Sequence, residues 1–344
     1  MLRLRGSAGQ AQRCYASTSK KLKLVEVGRR IEPSLEPYPA GQIFVHKVFS
    51  YRGVLLYNWE AKVYDKSLSQ PPQPSAASPP YLSAVPGENL SSGQELLGTT
   101  HTYYKALIDN QDRPFLKMPY DEGFTLLSSD SGDASGRLQS LYTVRGIDFV
   151  GHADILPLHS RIPIQHDLFR QFFDEAPPEA ELAFVGNATL ATWRAKYEKY
   201  FEVSTINRET TDGIRITVIP FYIGCRENRD TANHFWQYTV RMENLSEETV
   251  TLRERLWKVF SISGTLENVA GRGVVGYEPT LSPQSPAFQY SSHVALKAPS
   301  GHMWGEFLME TASGRHVRVK IPPFTLDSVS EKPGSTPPAQ STPA

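Results

Sequence analysis

Few residues in this chain could do chemistry, and most of them lie in its second half. Gly271-Arg272-Gly273-Val274-Val275-Gly276 matches G-x-G-x-x-G, the pattern whose glycines let backbone N–H groups wrap a pyrophosphate where a strand turns into a helix. A dinucleotide site also needs a preceding parallel strand, a following helix and an acid about 20 residues on. Here Tyr277-Glu278-Pro279 follows at once, and Pro279 bars a regular helix. The glycines therefore point to a tight connection between strands, where positive φ is needed. Gly271, Arg272, Gly273 and Gly276 stay a candidate anion loop, because a backbone nest can hold a phosphate without a helix.

Nine histidines are scattered, with no HExxH and no close His/Asp/Glu cluster. His152 and Asp154 are near neighbours, but two ligands do not make a metal site. There is no G-x-S-x-G nucleophile elbow. Cys225 has no sequence-level partner that would mark it as a nucleophile. No catalytic, cofactor-binding or metal-ligating residue is assigned, and a protein that is not an enzyme is expected. What remains is contact chemistry. Arg253-Glu254-Arg255 stands before Leu256-Trp257, and Arg and Trp are favoured contact anchors; a solvated strand face with weak local ion pairs would look the same. His316, Arg318 and Lys320 alternate along one run, a cationic stripe suited to an acidic partner or to protecting a sheet edge. Arg253, Arg255, Trp257, His316, Arg318 and Lys320 are thus the candidate partner-binding residues.

The elements that must position these residues are strands. Ile214, Ile216 and Val218 alternate with polar residues, as do Trp236, Tyr238, Val240 and Met242 before an Asn244-Leu245-Ser246-Glu247-Glu248 turn. Thr249 to Phe260 follows, then Met303, Gly305, Phe307 and Met309 on one face, and Val317, Val319 and Ile321 on another. Period-two patterning with short turns predicts an antiparallel sandwich. In the first half, Gln42 to Val48, Gly53 to Tyr57, His101 to Ile108, Tyr142 to Val144 and Asp148 to Val150 are short β-rich runs, which predict a closed or half-closed barrel. Two helices are predicted between the halves: 164–175, with Leu168, Phe169, Phe172 and Phe173 at helical spacing, and 189–201, with Thr189 as N-cap and Leu190, Trp193, Tyr197, Tyr200 and Phe201 on one stripe. Both aromatic stripes are expected to be core.

Composition bounds the function. The chain has 344 residues with 36 Lys+Arg against 36 Asp+Glu, so bulk electrostatics gives it no hold on nucleic acid. No apolar run approaches the ~20 residues of a membrane-spanning helix, and a soluble chain without membrane insertion is expected. Its two cysteines, Cys14 and Cys225, exclude a disulfide scaffold and a Cys-based zinc site. Residues 1–25 hold six basic residues and no acid, the composition of a mitochondrial transit peptide. Arg13 lies three residues before Ala16, so cleavage between Tyr15 and Ala16 is expected. The cut removes Arg3, Arg5 and Arg13 and leaves the chain slightly acidic. Residues 71–86 carry six of the 26 prolines amid Ser and Ala, and 322–344 carry six more, so a flexible insertion and a disordered tail are expected.

These runs also resemble known modules. His234 to Asn244, Arg253 to Val259, Gly271 to Pro279, Phe288 to Ser292, Ser300 to Gly305 and Ile321 to Phe324 resemble the ApaG domain. Gly41 to Phe44, Tyr51 to Val54, Thr102 to Tyr104 and His152 to Pro157 resemble the YccV/HspQ-like domain. The two in this order, behind a transit peptide, resemble the polymerase delta-interacting protein family over roughly 38–330. The resemblance implies an SH3-like barrel followed by a fibronectin type III-like sandwich, joined by short helices. The divisions would be a lead-in over 1–37, a barrel over 38–176 with an insertion at 67–100, a connector over 177–204, a sandwich over 205–330 and a tail over 331–344. It implies a non-enzymatic, monomeric adaptor of the mitochondrial matrix, with a nuclear pool as a further expectation. The implied partners are the AAA+ unfoldase ClpX and its protease, the small subunit of DNA polymerase delta, the sliding clamp and a primase-polymerase. The family offers no established catalytic residues and no cofactor. Two alternatives stay open: DNA binding through the YccV-like domain, against which the charge balance weighs, and nucleotide or pyrophosphate binding at Gly271–Gly276.

Overall fold

The computed structural model describes residues 26–68, 98–116, 124–127, 141–228 and 231–328. The expected cut at Tyr15 and Ala16, most of the 67–100 insertion and the 331–344 tail lie outside the described residues. The fold is mostly β: among the described residues nineteen strands stand against two α-helices and three short 3-10 turns.

The first module holds β1 (Arg29–Arg30), β2 (Ile43–His46), β3 (Arg52–Asp65), β4 (Gly98–Ile108), β5 (Phe124–Leu127), β6 (Leu141–Val144), β7 (Ile147–Gly151) and β8 (Ile155–His159). β5 and β6 form their own hairpin, and the others pair antiparallel in the order β1-β8-β2-β3-β4-β7. Phe44, Leu55, Tyr104, Ala106, Val150 and Ile155 share one buried cluster with Tyr38 and Tyr51. Ile155 of β8, next to one end of the run, and Val150 of β7, at the other, both feed that cluster, so the sheet curls around it as a half-closed SH3-like barrel. A bulge between Leu55 and Tyr57 breaks the alternation of β3, and Leu56 and Tyr57 both enter a second cluster on the barrel's outer side.

That outer side is covered by the connector: α1 (Phe169–Phe172), β9 (Phe173–Glu175), β10 (Phe184–Gly186) and α2 (Ala188–Phe201). Instead of the helix expected over 164–175 there is one helical turn. The Asn187 N–H bonds the Phe172 carbonyl at 2.9 Å, and Asp174 and Glu175 pair with Val185 and Phe184; strand pairing wins over the helical spacing of the phenylalanines. α2 forms as expected, but Asn187 caps it rather than Thr189. Asn187 Oδ1 accepts from the N–H groups of Thr189 (3.0 Å) and Leu190 (3.3 Å), two of the donors a helix start leaves unsatisfied. Its stripe is core, with Leu190 and Phe201 buried and Trp193, Tyr197 and Tyr200 packed against them.

The second module holds β11 (Thr205–Thr211), β12 (Ile214–Asn228), β13 (Thr231–Asn244), β14 (Val250–Ser261), β15 (Leu266–Arg272), β16 (Thr280–Leu281), β17 (Ala287–Leu296), β18 (Ser300–Thr311) and β19 (His316–Asp327). One sheet runs β11-β12-β13-β17 and the other β15-β14-β18-β19, with β16 against β14. Every inward residue of the period-two pattern (Ile214, Ile216 and Val218; Trp236, Tyr238, Val240 and Met242; Met303, Phe307 and Met309; Val317, Val319 and Ile321) lies in the core between them. This is the fibronectin type III-like sandwich.

Barrel and sandwich share a sheet. Lys62–Asp65 of β3 pair in parallel with Thr205–Arg208 of β11, so one ten-stranded sheet runs through both modules. β12 serves both cores: Ile214, Ile216 and Val218 face the sandwich interior, and Ile219, Phe221 and Ile223 pack with the barrel and α2.

Candidate partner-binding surface

The glycine pattern is a hairpin turn. Val274 and Tyr277 exchange both backbone hydrogen bonds at 2.8 Å around Val275 (φ 43) and Gly276 (φ 84), a two-residue type I′ turn. Gly273 sits at φ 55, and a Cβ there would meet the Tyr277 carbonyl oxygen at 2.2 Å. Arg255 Nη1 reaches the carbonyls of Arg272 (2.8 Å) and Gly273 (2.7 Å); Gly271 lies over its guanidinium, where a Cβ would come within 3.2 Å. The N–H groups of Gly273, Val274 and Tyr277 bond the carbonyls of Arg253, Tyr277 and Val274, so these three donors are already taken and are not open to a phosphate nest.

The other sequence candidates fall in different places. Trp257 is 2% exposed, packed edge-on against Tyr238, Phe307 and Phe324, and belongs to the core. Arg253 lies between Glu310 (2.6 Å) and Glu278 (2.9 Å), and Arg272 meets Glu278 at 2.8 Å. His316, Arg318 and Lys320 do face solvent on β19. Acids of β18 answer them, however: Arg318 pairs with Glu306, while Glu310 stands opposite His316 and Glu306 opposite Lys320. The surface is of mixed sign rather than a one-sided cationic stripe.

His152 and Asp154 go separate ways. His152 stacks on Tyr38 at 4.9 Å, and its two ring nitrogens meet Tyr104 Oη (2.8 Å) and the Ser34 carbonyl (2.7 Å). Asp154 instead takes Arg241 Nη1 at 2.7 Å, while Arg241 Nη2 reaches Glu243 at 3.1 Å. Burial would raise the Asp154 carboxyl, but the Arg241 guanidinium, with His46 and Arg215 nearby, outweighs it and holds the group below the usual carboxylate range. His46 lies behind this pair, its Nδ1 accepting from the N–H groups of Val48 (3.1 Å) and Phe49 (3.2 Å). Burial, then the charge of Arg241, pushes its imidazole down to about 4. This cluster ties barrel to sandwich. Among the described residues no group of three or more His, Cys, Asp or Glu is placed to hold a metal ion.

The surface with contact chemistry is the outer face of the β15-β14-β18-β19 sheet. The registers set Ala270, Leu256 and Glu306 in one row, Asn268, Lys258 and Trp304 in the next, and Leu266, Phe260 and His302 in a third. Leu256, Phe260 and Trp304 are half-buried on this outer side, although nothing in the sandwich core needs them there. Among the described residues β15 ends the sheet; on it Leu266, on the outer face opposite Phe260, is 55% exposed and Val269, on the other face opposite Trp257, is 45% exposed, while Ile262, just past the end of β14, is 54% exposed. Exposed apolar residues gathered on an unpaired edge and a mixed-charge face mark a protein-docking surface. Trp304, Phe260 and Leu266 were not among the sequence candidates. Alternation pointed to the first: with Met303 and Gly305 inward, Trp304 must face out.

The chain matches the ApaG domain over residues 225–311, which sets the sandwich in the class of ApaG-domain proteins. It is 43% identical to protein ApaG of Rhodopseudomonas palustris (strain TIE-1) over 121 residues, 35% of this chain and 92% of that protein. It is also 46% identical to polymerase delta-interacting protein 2 of Mus musculus and of Homo sapiens, each over 309 residues, 88% of this chain and 78% of the relative. The chain belongs to the polymerase delta-interacting protein 2 family.

Proposed function

We propose that this chain is a non-enzymatic adaptor of the mitochondrial matrix, cut between Tyr15 and Ala16 after import, that binds partner proteins through two fused β-modules, the barrel over 38–176 and the sandwich over 205–330. Its proposed partners are the AAA+ unfoldase ClpX with its protease and, in a nuclear pool, the small subunit of DNA polymerase delta, the sliding clamp and a primase-polymerase. The reading is supported by the relatives' printed name, which is that of an interacting protein. The single observation that carries it is the outer sandwich sheet, where Leu256, Phe260, Trp304 and Leu266 meet solvent beside charges of both signs and the open β15 edge. An aromatic anchor ringed by polar side chains suits a protein partner, and an open edge can add a partner's strand. The shared β3–β11 ladder holds the two modules at a fixed spacing, as an adaptor bridging two partners requires. Pull-down of the full chain with the purified unfoldase, across nucleotide states, tests the proposal. Retention in at least one state is expected, and no retention in any would end it.

A further inference from the structure

Cys225 of β12 and His234 of β13 are direct ladder partners, and Cys225 Sγ lies 3.8 Å from His234 Nε2. The other ring nitrogen, Nδ1, lies 3.1 Å from Tyr222 Oη. Residues three apart in an unbroken strand face opposite sides. The register shift between Tyr222 and Gly224 turns Tyr222 and Cys225 toward the same imidazole. Cys225 is half-buried, and the wall behind it is apolar: the Trp236 ring lies 5.4 Å from Tyr222 and 6.0 Å from His234, and Leu296 pairs with His234 from β17. Nucleophile, base and a third group that orients the base are thus assembled on two paired strands.

We propose that Cys225 is a histidine-activated thiol, a modification site for hydrogen peroxide and related soft electrophiles. With His234 Nδ1–H donating to Tyr222 Oη, Nε2 takes the thiol proton and leaves a thiolate beside an imidazolium. The sulfur attacks one peroxide oxygen; an S–O bond forms and the O–O bond breaks. The departing hydroxide takes the proton from Nε2 and leaves as water. Sulfur loses two electrons to become a sulfenic acid, and the peroxide gains them. This site is independent of the partner-binding surface.

The test uses the full chain, with peptide mass spectrometry reading Cys225 alone. At pH 7, alkylation of Cys225 by iodoacetamide is expected to run about tenfold faster in the folded chain than in the same chain unfolded in guanidinium chloride. Hydrogen peroxide is expected to leave a dimedone-trapped sulfenic acid at Cys225. His234→Gln, checked for an unchanged Tm, should bring both reactions down to the unfolded reference. Should that variant fail to fold, Tyr222→Phe decides by the same two readouts, with a several-fold slowing expected. A folded Cys225 no faster than its unfolded reference, a fast alkylation with no sulfenic acid, or a folded variant as reactive as the parent would each overturn the proposal.

Discussion

Gln289 of the sandwich donates its side-chain amide to Asp148 of the barrel at 2.8 Å, across 141 residues of sequence. The same buried carboxylate accepts Tyr51 Oη at 2.5 Å and the Phe149 N–H at 2.8 Å. Three donors satisfy a charge that could not otherwise stay buried. Gln289→Leu removes the donor that crosses between modules. A loss of about 1–3 kcal/mol in stability is expected, read by urea denaturation at pH 7, with Gln289→Glu worse still because it sets two carboxylates together.

His46 makes the same junction sensitive to acid. Above pH 6.5 its imidazole is neutral in both folded and unfolded chains. Between 6.5 and about 4 the unfolded chain takes up a proton that the folded chain refuses. Stability from this group is therefore present at neutral pH and lost as pH falls, by about 2–3 kcal/mol at pH 4.5. His46→Asn keeps an acceptor for Val48 and Phe49 without the titration. Its loss of stability between pH 7 and pH 4.5 should be smaller than the parent's by that amount; equal losses would show that His46 is not the group responsible.

The 274–277 turn makes a prediction of opposite signs. Val275 is β-branched yet held at φ 43, which costs energy that Asn or Gly does not pay. Val275→Asn should raise stability by about 0.5–1 kcal/mol. Gly273→Ala should lower it by more than about 1 kcal/mol, because the new Cβ meets a carbonyl oxygen. Thermal melts of the two variants, moving apart about the parent, check both.

Much of this was legible in the sequence because alternation is a local property. Ile214, Trp236, Phe307 and Val319 announced their inward faces, and the loop glycines announced positive φ. Pairing is not local. Nothing in Lys62–Asp65 or Thr205–Arg208 names the other as its parallel partner, so the fusion of the two modules could not be read. The helix expected over 164–175 failed for a similar reason, since the pairing of Phe173–Glu175 with Phe184–Gly186 is set by tertiary contact. Among the site residues, Arg253 and Trp257 drew notice by type, yet type does not fix side: Trp257 faces inward and Trp304 outward by the parity of their strands. Cys225 looked isolated because its histidine lies across a hairpin as its ladder partner, and Tyr222 joins the pair only through a bulge.

Hydrogen–deuterium exchange of the full chain, alone and with the purified AAA+ unfoldase, tests the adaptor account most directly. Slowed exchange is expected in 256–272 and 302–308, and Trp304→Asp, with Tm unchanged, should weaken binding by at least about tenfold, as replacing an aromatic anchor does. Tight binding that leaves both segments unprotected and survives Trp304→Asp would contradict the assignment of this face.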